Sequence, residues 1–351
     1  DRDWSSDVCS SDLYYQHNQF DKANEVFKDV VKKYKNTKLD TFFEQRFFIQ
    51  NNKAQLIIDP SLHGLIAIIA GNEVHISKEL YDHPNVIITN SLENNNQASN
   101  PKSLYNPETF STVAYLICQN HTMFQIVGEV DEPIYLKYKS DYETFYNSVF
   151  VIEIAIGVEV EIVEEIESFC ALNAVANYIL QPTSKLNLRT FYQNHVSAIS
   201  FFYRNIIAQD DTSFSHVLLG KGSSNVIDEN KIHPYHSSKS EFLGIVNSDA
   251  KDFHSILFVQ PSSEKYSIHV DYRDVLYGKA NVTFFPVILG QEPTDSATIL
   301  VSNINLDEVS PESASDEVQK YLKDIVDRAI LGRMTGVKRF YDNKSKFLHF
   351  P

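Results

Sequence analysis

His233 and His236 stand three residues apart in KIHPYHSSKSEFLG. Two imidazoles this close invite a metal reading. Pro234, however, removes an ordinary helix interior between them, and no Cys or acidic side chain has ligand spacing to either. Both are expected in a turn or at a strand edge. GKGSSN, Gly220 to Asn225, has the glycine, lysine and serine of a phosphate loop without that loop's spacing, so a plain turn between strands is expected. The run Glu159, Glu161, Glu164, Glu165 and Glu167 offers carboxylates in number. At strand spacing Glu159 and Glu161 share one face about 6–7 Å apart, which suggests a glycosidase pair, but the run as a whole reads as a solvated face. In FFYRN, Phe201 to Asn205, an arginine among aromatics suits a sugar or a base; the expectation is core packing of the rings with Arg204 exposed. No Ser-His-Asp order and no Gly-x-Ser-x-Gly elbow occurs. These residues assign no catalytic group, bound cofactor or metal ligand, and the chain is expected not to be an enzyme.

The elements that carry these residues are strands. In VFVIEIAIGVEVEIVEEIES, residues 149–168, Val149, Val151, Ile154 and Ile156 precede Gly157, and Val158, Val160, Ile162 and Val163 follow it, with glutamates between. From about residue 112 to 305 the texture is uniform. TVAYLIC, FQIVG, PIYLKY, YILQPTSKLNLRTFY, AISFFYRNIIA, FSHVLLG and ANVTFFPVILG follow one another, separated by single Gly, Asn or Pro or by small polar clusters. Runs of four to eight residues are expected as strands. The 23 Phe and 19 Tyr against 11 Gly fit a pleated surface. An open sheet of so many strands leaves long unprotected edges, and closure, a sandwich or a solenoid avoids them. With Asn-Gly and Asp-Gly hairpin signals absent, the pattern favours a parallel β-helix over a sandwich, each coil burying one apolar face on its neighbours.

Helices are expected at both ends. Phe20, Ala23, Val26, Phe27, Val30, Val31 and Tyr34 have helical spacing in residues 18–35. Val318, Leu322, Ile325 and Ala329 line one stripe after Ser310-Pro311, up to Gly332. LENNNQASNPKSLYNPE, residues 92–108, is expected as a loop or junction. Residues 3–13, DWSSDVCSSDL, resemble one reading frame of a sequencing-library adapter and are set apart from the fold. The expected organisation is therefore 1–13 as an artefact and 14–110 as an N-terminal helix with a small α/β region. A β-helix core then spans 111–308, and a C-terminal helical region spans 309–351.

Forty-three per cent hydrophobic residues support a real core, and a net charge of −15 argues against a nucleic acid or an anionic membrane as partner. Cys118 and Cys170, in apolar strand-like surroundings, are expected as buried thiols of a reduced, cytoplasmic protein. The longest apolar run, Leu65 to Ala70, is far too short to span a bilayer.

The order of segments resembles the SufB/SufD family of iron–sulfur cluster assembly scaffolds, on its SufD side. The resemblance runs over roughly residues 64–330. It rests on GLIAIIAGNEVHISKELYDHPNVIITNSLE (64–93), EPIYLKY (132–138), VFVIEIAIGVEVEIVEEIES (149–168), IHPYHSSKSEFLGIV (232–246) with its Pro234, Ser238 and Gly244, and FHSILFVQPSSEKYSIHVDYRDVLYGKANVTFFP (253–286). It implies a right-handed parallel β-helix that pairs with a SufB-like protein or with itself. A SufC-like ATPase would dock on the C-terminal helix through Val318, Leu322, Ile325 and Ala329. ATP hydrolysis and the iron–sulfur cluster then belong to the assembled complex. Where many family members carry Cys-Ser-His-Gly, this chain reads GQEPTDSATILVSN, residues 290–303, so no metal residue is carried over. The other class in view is a different β-helix protein, a polysaccharide-acting enzyme or an adhesion-type structural protein.

Overall fold

The computed structural model describes residues 64–71, 73–90, 114, 122–140, 145–195, 198–221, 225–248, 252–263, 265–276, 281–288 and 296–305. In chain order the strands are β1 (Ile66–Ala70), β2 (Glu73–Ile76), β3 (Val86–Asn90), β4 (Thr122–Ile126), β5 (Ile134–Lys139), β6 (Phe145–Ile154), β7 (Glu159–Glu167) and β8 (Ala171–Leu180). Then come β9 (Lys185–Gln193), β10 (Ile199–Ala208), β11 (Ser213–Lys221), β12 (Asn225–Pro234), β13 (Ser238–Ser248), β14 (Asp252–Val259), β15 (Tyr266–Leu276), β16 (Asn281–Ile288) and β17 (Ser296–Asn305). Helix α1, Lys78–Tyr81, is capped by the Ser77 side chain, which accepts from Leu80 N.

From β4 onward the strands alternate between two sheets. One orders β17-β15-β13-β11-β9-β7-β5-β1-β2 and the other β16-β14-β12-β10-β8-β6-β4-β3. Each strand pairs in parallel with the strand two places on, which is a parallel β-solenoid of about five turns. Register partners stand 26 residues apart for Glu159 and Lys185 and 28 for Gln125 and Glu153. At the N-terminal end the rule changes: β2 runs antiparallel to β1, and β3 antiparallel to β4.

Many strands are longer than the four to eight residues expected. β6, β8, β10 and β12 each have 10, and β13 and β15 have 11. The reason lies in corners that do not read as breaks. YILQPTSKLNLRTFY contains one at Gln181–Ser184, matched by Ala155–Val158, Gln209–Thr212 and Tyr235–Ser238, each closed by a backbone hydrogen bond of 3.1–3.4 Å from its fourth N–H to its first carbonyl. The third residue of each has positive φ: Gly157 at 72°, Thr183 at 63°, Asp211 at 58° and Ser237 at 57°. This matches a type II turn, which asks for glycine there; only Gly157 supplies it. The N–H groups of Gly157, Thr183 and Asp211 bond the carbonyls of Pro182, Asp210 and His236, so the ladder between coils continues around the bend.

Alternate side chains fill the interior. Ile162, Leu188, His216, Phe242 and Val270 make one row across the first sheet, and Phe150, Ala176, Arg204, Asn230 and Leu257 one across the second. Phe242, Tyr272 and Phe284 stack, with Tyr272 and Phe284 centroids 4.2 Å apart. Gly244 makes room for that stack, since a Cβ there would lie 2.2 Å from Tyr272 Cδ2. Outward side chains are buried too in the middle of both sheets. Val217 and Leu243 show this on one; on the other, Ala114 packs with Val149, Val175 and Tyr203. The expected helices at residues 18–35 and 315–331, the loop at 92–108, the segment 1–13 and Cys118 lie outside the described residues. Cys170 is half-buried just before β8 rather than buried in a strand, because the chain is turning there.

Candidate functional site

Two expectations about charge are overturned in the solenoid interior. Arg204 is fully buried, not exposed, and Glu164 belongs to no solvated face. The alternation explains both. Inward positions of β7 are Val160, Ile162, Glu164 and Ile166, and those of β10 include Phe202, Arg204 and Ile206, so each charge occupies a slot whose neighbours are apolar. Asp228 is an inward residue of β12 in register with Phe202, followed inward by Asn230 in register with Arg204.

The three charges form one hydrogen-bonded cluster. Arg204 Nε donates to Glu164 Oε2 at 2.7 Å, and Nη2 lies 2.7 Å from the same oxygen. Its Nη1 donates to Asp228 Oδ1. Tyr178 Oη donates to Glu164 Oε1 at 2.5 Å, and Thr190 Oγ1 to Glu164 Oε2 at 2.7 Å. Tyr192 Oη donates to Asp228 Oδ1, and Asn230 Nδ2 to Asp228 Oδ2 at 2.5 Å. His216 Nε2 lies 2.9 Å from Thr190 Oγ1. The six successive strands β7 to β12 therefore each supply at least one member. The guanidinium carbon lies 4.0 Å from the Phe202 ring centroid, and Tyr138 meets that ring edge-on at 4.8 Å.

Electrostatics follow from this enclosure. Burial works against the Arg204 charge, but Asp228 and then Glu164 outweigh it and hold the guanidinium well above its usual range. Burial, reinforced by Glu164, pushes the Tyr178 and Tyr138 hydroxyls well up; burial and then Asp228 do the same for Tyr192. The tyrosines thus remain neutral. The His216 imidazole is pushed well below its usual value, first by burial and then by the Arg204 and Arg189 charges.

With Glu164, Arg204 and Asp228 at 0% exposure, this cluster meets no substrate. What it can do is fix how three coils stack, because a slip of one residue would send each charge to the other face of its sheet. A buried ion pair is a poor source of net stability but a strong penalty on every arrangement that leaves one partner alone.

The outward members of the acidic run each face a cation. Glu159 lies 3.3 Å from Lys185, Glu161 2.8 Å from Arg189, Glu165 3.1 Å from Lys137 and Glu167 3.1 Å from Lys139. Gly220, near the end of β11, lies on an inward row where a Cβ would be 2.7 Å from Phe253 Cε2; the rest of the expected turn, residues 222–224, lies outside the described residues. His233 is in β12 and half-buried, whereas His236 is exposed in the corner that follows. Among the described residues no group of three or more His, Cys, Asp or Glu is placed to hold a metal ion, and no helix is long and apolar enough to cross a membrane. Pro234, Ser238 and Gly244 have structural tasks: ending a strand, closing a corner and making room for Tyr272. Val318, Leu322, Ile325 and Ala329 lie outside the described residues.

The two ends of the solenoid differ. The last coil exposes Phe285 (58%) on β16 and Ile299 (39%) and Leu300 (52%) on β17. Ile299 is in register with inward Val270, so among the described residues an inward row reaches solvent at this end. Among the described residues β16 and β17 are edge strands with no further pairing.

Sequence alone missed this cluster because Ile162-Val163 and Glu164-Glu165 are adjacent like pairs that conceal the parity of β7. The available signal was a charged residue on the apolar parity of three different strands. No family model matches this sequence, and a search of characterised proteins also gives no match.

Proposed function

We propose that this chain is a non-catalytic scaffold subunit of the SufB/SufD kind, part of an assembly that builds iron–sulfur clusters in the cytoplasm. The observation that supports the reading most is the parallel solenoid whose last coil, among the described residues, ends in the edge strands β16 and β17 with Phe285, Ile299 and Leu300 exposed. An edge of that kind pairs readily with a strand of another chain. At the N-terminal end the parallel stacking gives way to antiparallel β2 and β3. The interior is filled by side chains and the outward glutamates are paired with cations, features of a platform rather than of a carbohydrate-cleaving groove. In this reading the solenoid is right-handed and pairs with a SufB-like protein or a second copy. A SufC-like ATPase docks on a C-terminal helix through Val318, Leu322, Ile325 and Ala329, and any cluster is held at the level of the complex.

Co-expression with SufB-like and SufC-like proteins from the same source, followed by size exclusion with mass determination, tests it. The expected result is a stable complex containing the ATPase. Leu322→Asp with Ile325→Asp should remove the ATPase and leave the β-body folded. A lone monomer that ignores both partners overturns the scaffold reading.

A further inference from the structure

His216 has a constrained hydrogen-bond arrangement. Glu164 has no proton to give in its pairing with Arg204, so Thr190 Oγ1 must donate to Glu164 Oε2. A hydroxyl has one proton, and the Thr190 oxygen is therefore left to accept from His216 Nε2, 2.9 Å away. This fixes the neutral imidazole with its proton on Nε2. The other nitrogen, Nδ1, is buried without a partner. The ring is enclosed by Phe214, with centroids 6.0 Å apart, and by Phe242, edge-on at 5.1 Å.

A second proton would have to sit on Nδ1, as a buried cation with an unsatisfied donor. The groups that bear on it oppose this. Arg204 of β10 and Arg189 of β9 are both positive, and the neighbouring inward positions of β13 are Ser240, Phe242 and Gly244, none of them charged. Glu164 of β7, reached through Thr190, is negative, but Arg204, Thr190 and Tyr178 already engage it. Asp228 and Asn230 of β12 are committed to Arg204 and to each other. Leaving such a donor unmade carries the full desolvation penalty of the group before the charge itself is counted.

We propose that His216 is an acid-sensitive latch on the middle coils: neutral, it ties β11 through Thr190 to Glu164, and it accepts a second proton only when β9 and β11 open. Opening then exposes an imidazole with an ordinary affinity for protons, so the open population grows about tenfold per pH unit below roughly pH 6.5. The test is amide hydrogen exchange of the full chain between pH 8 and pH 5, corrected for the intrinsic rate. Protection of β9 and β11 amides should fall about tenfold per unit on the acid side. In His216→Gln, whose amide can still donate to Thr190, that acid slope should disappear. A flat wild-type profile, or the same slope in the variant, overturns the proposal. Should His216→Gln not fold, the wild-type protein labelled at histidine decides by NMR. A ring that keeps the Nε2–H tautomer down to the pH at which the coils open supports the latch, and one that titrates in the folded protein near its usual value refutes it.

Discussion

Replacing Arg204 by Met tests the central claim that the interior is held in register by charge. The change keeps an apolar stem of similar length beside Phe202 and removes only the fork. Glu164 then loses Nε and Nη2, each at 2.7 Å, and Asp228 loses Nη1. Two carboxylates at 0% exposure remain in a largely apolar interior, with no other cation among the described residues bonded to them. Breaking a buried pair by removing one partner costs about 3–5 kcal/mol, and here one cation serves two anions, so the upper part of that range is expected. The triple change Glu164→Gln, Arg204→Met and Asp228→Asn removes all three charges and leaves one amide oxygen to accept from Tyr178 and one to accept from Tyr192, with an amide NH2 facing Thr190 Oγ1 as donor. It should return to within about 1 kcal/mol of the parent. The assay is urea unfolding of the full chain followed by far-UV circular dichroism and tyrosine fluorescence, whose coincidence checks that one transition is being read. A cost below about 1 kcal/mol for Arg204→Met, or a triple variant no better than the single one, would refute the reasoning.

Three further outcomes follow from the same structure. Burial, helped by the Lys231 charge, pushes the His233 imidazole down to about 4; a depressed value means stability that is full above the unfolded value near 6.5 and is lost as pH falls from there toward 4. Because His233 is partly open to solvent, that loss is expected at about 1–3 kcal/mol, and the difference in urea midpoints between parent and His233→Gln at pH 7.5 and pH 4.5 measures it. At the corners, Gly157→Ala should cost about 1–2 kcal/mol because φ is positive, whereas Thr183→Gly should be neutral to slightly stabilising as strain relief offsets the freer unfolded chain; thermal melts that rank them the other way contradict the turn assignment. Gly244→Ala should cost about 1–3 kcal/mol by forcing Tyr272 out of its stack with Phe284, read as a lower urea midpoint and restored in part by Tyr272→Leu.

Much of the architecture was legible. Gly157 marked a corner, the absence of hairpin signals pointed to parallel stacking, and the alternation of Val160 and Ile162 with Glu159 and Glu161 gave the outward face of β7 correctly. Strand lengths were not legible, since three of the four matched corners hold their left-handed residue as Thr183, Asp211 or Ser237 instead of glycine. The ladder between coils stabilises those conformations, and a single strand's sequence carries no trace of it.

Local alternation, set by the two-residue period of a strand, thus determined that short-range pattern from the chain alone and pointed to a solenoid without separating it from a sandwich. Which glutamate turns inward, and that Arg204 and Asp228 meet it, depend on residues 40 and 24 positions apart along the chain. Only the stacking of coils brings them together, because a charge can occupy an apolar row only if its counter-charge arrives from another strand. That condition belongs to the tertiary structure and is invisible to any local pattern.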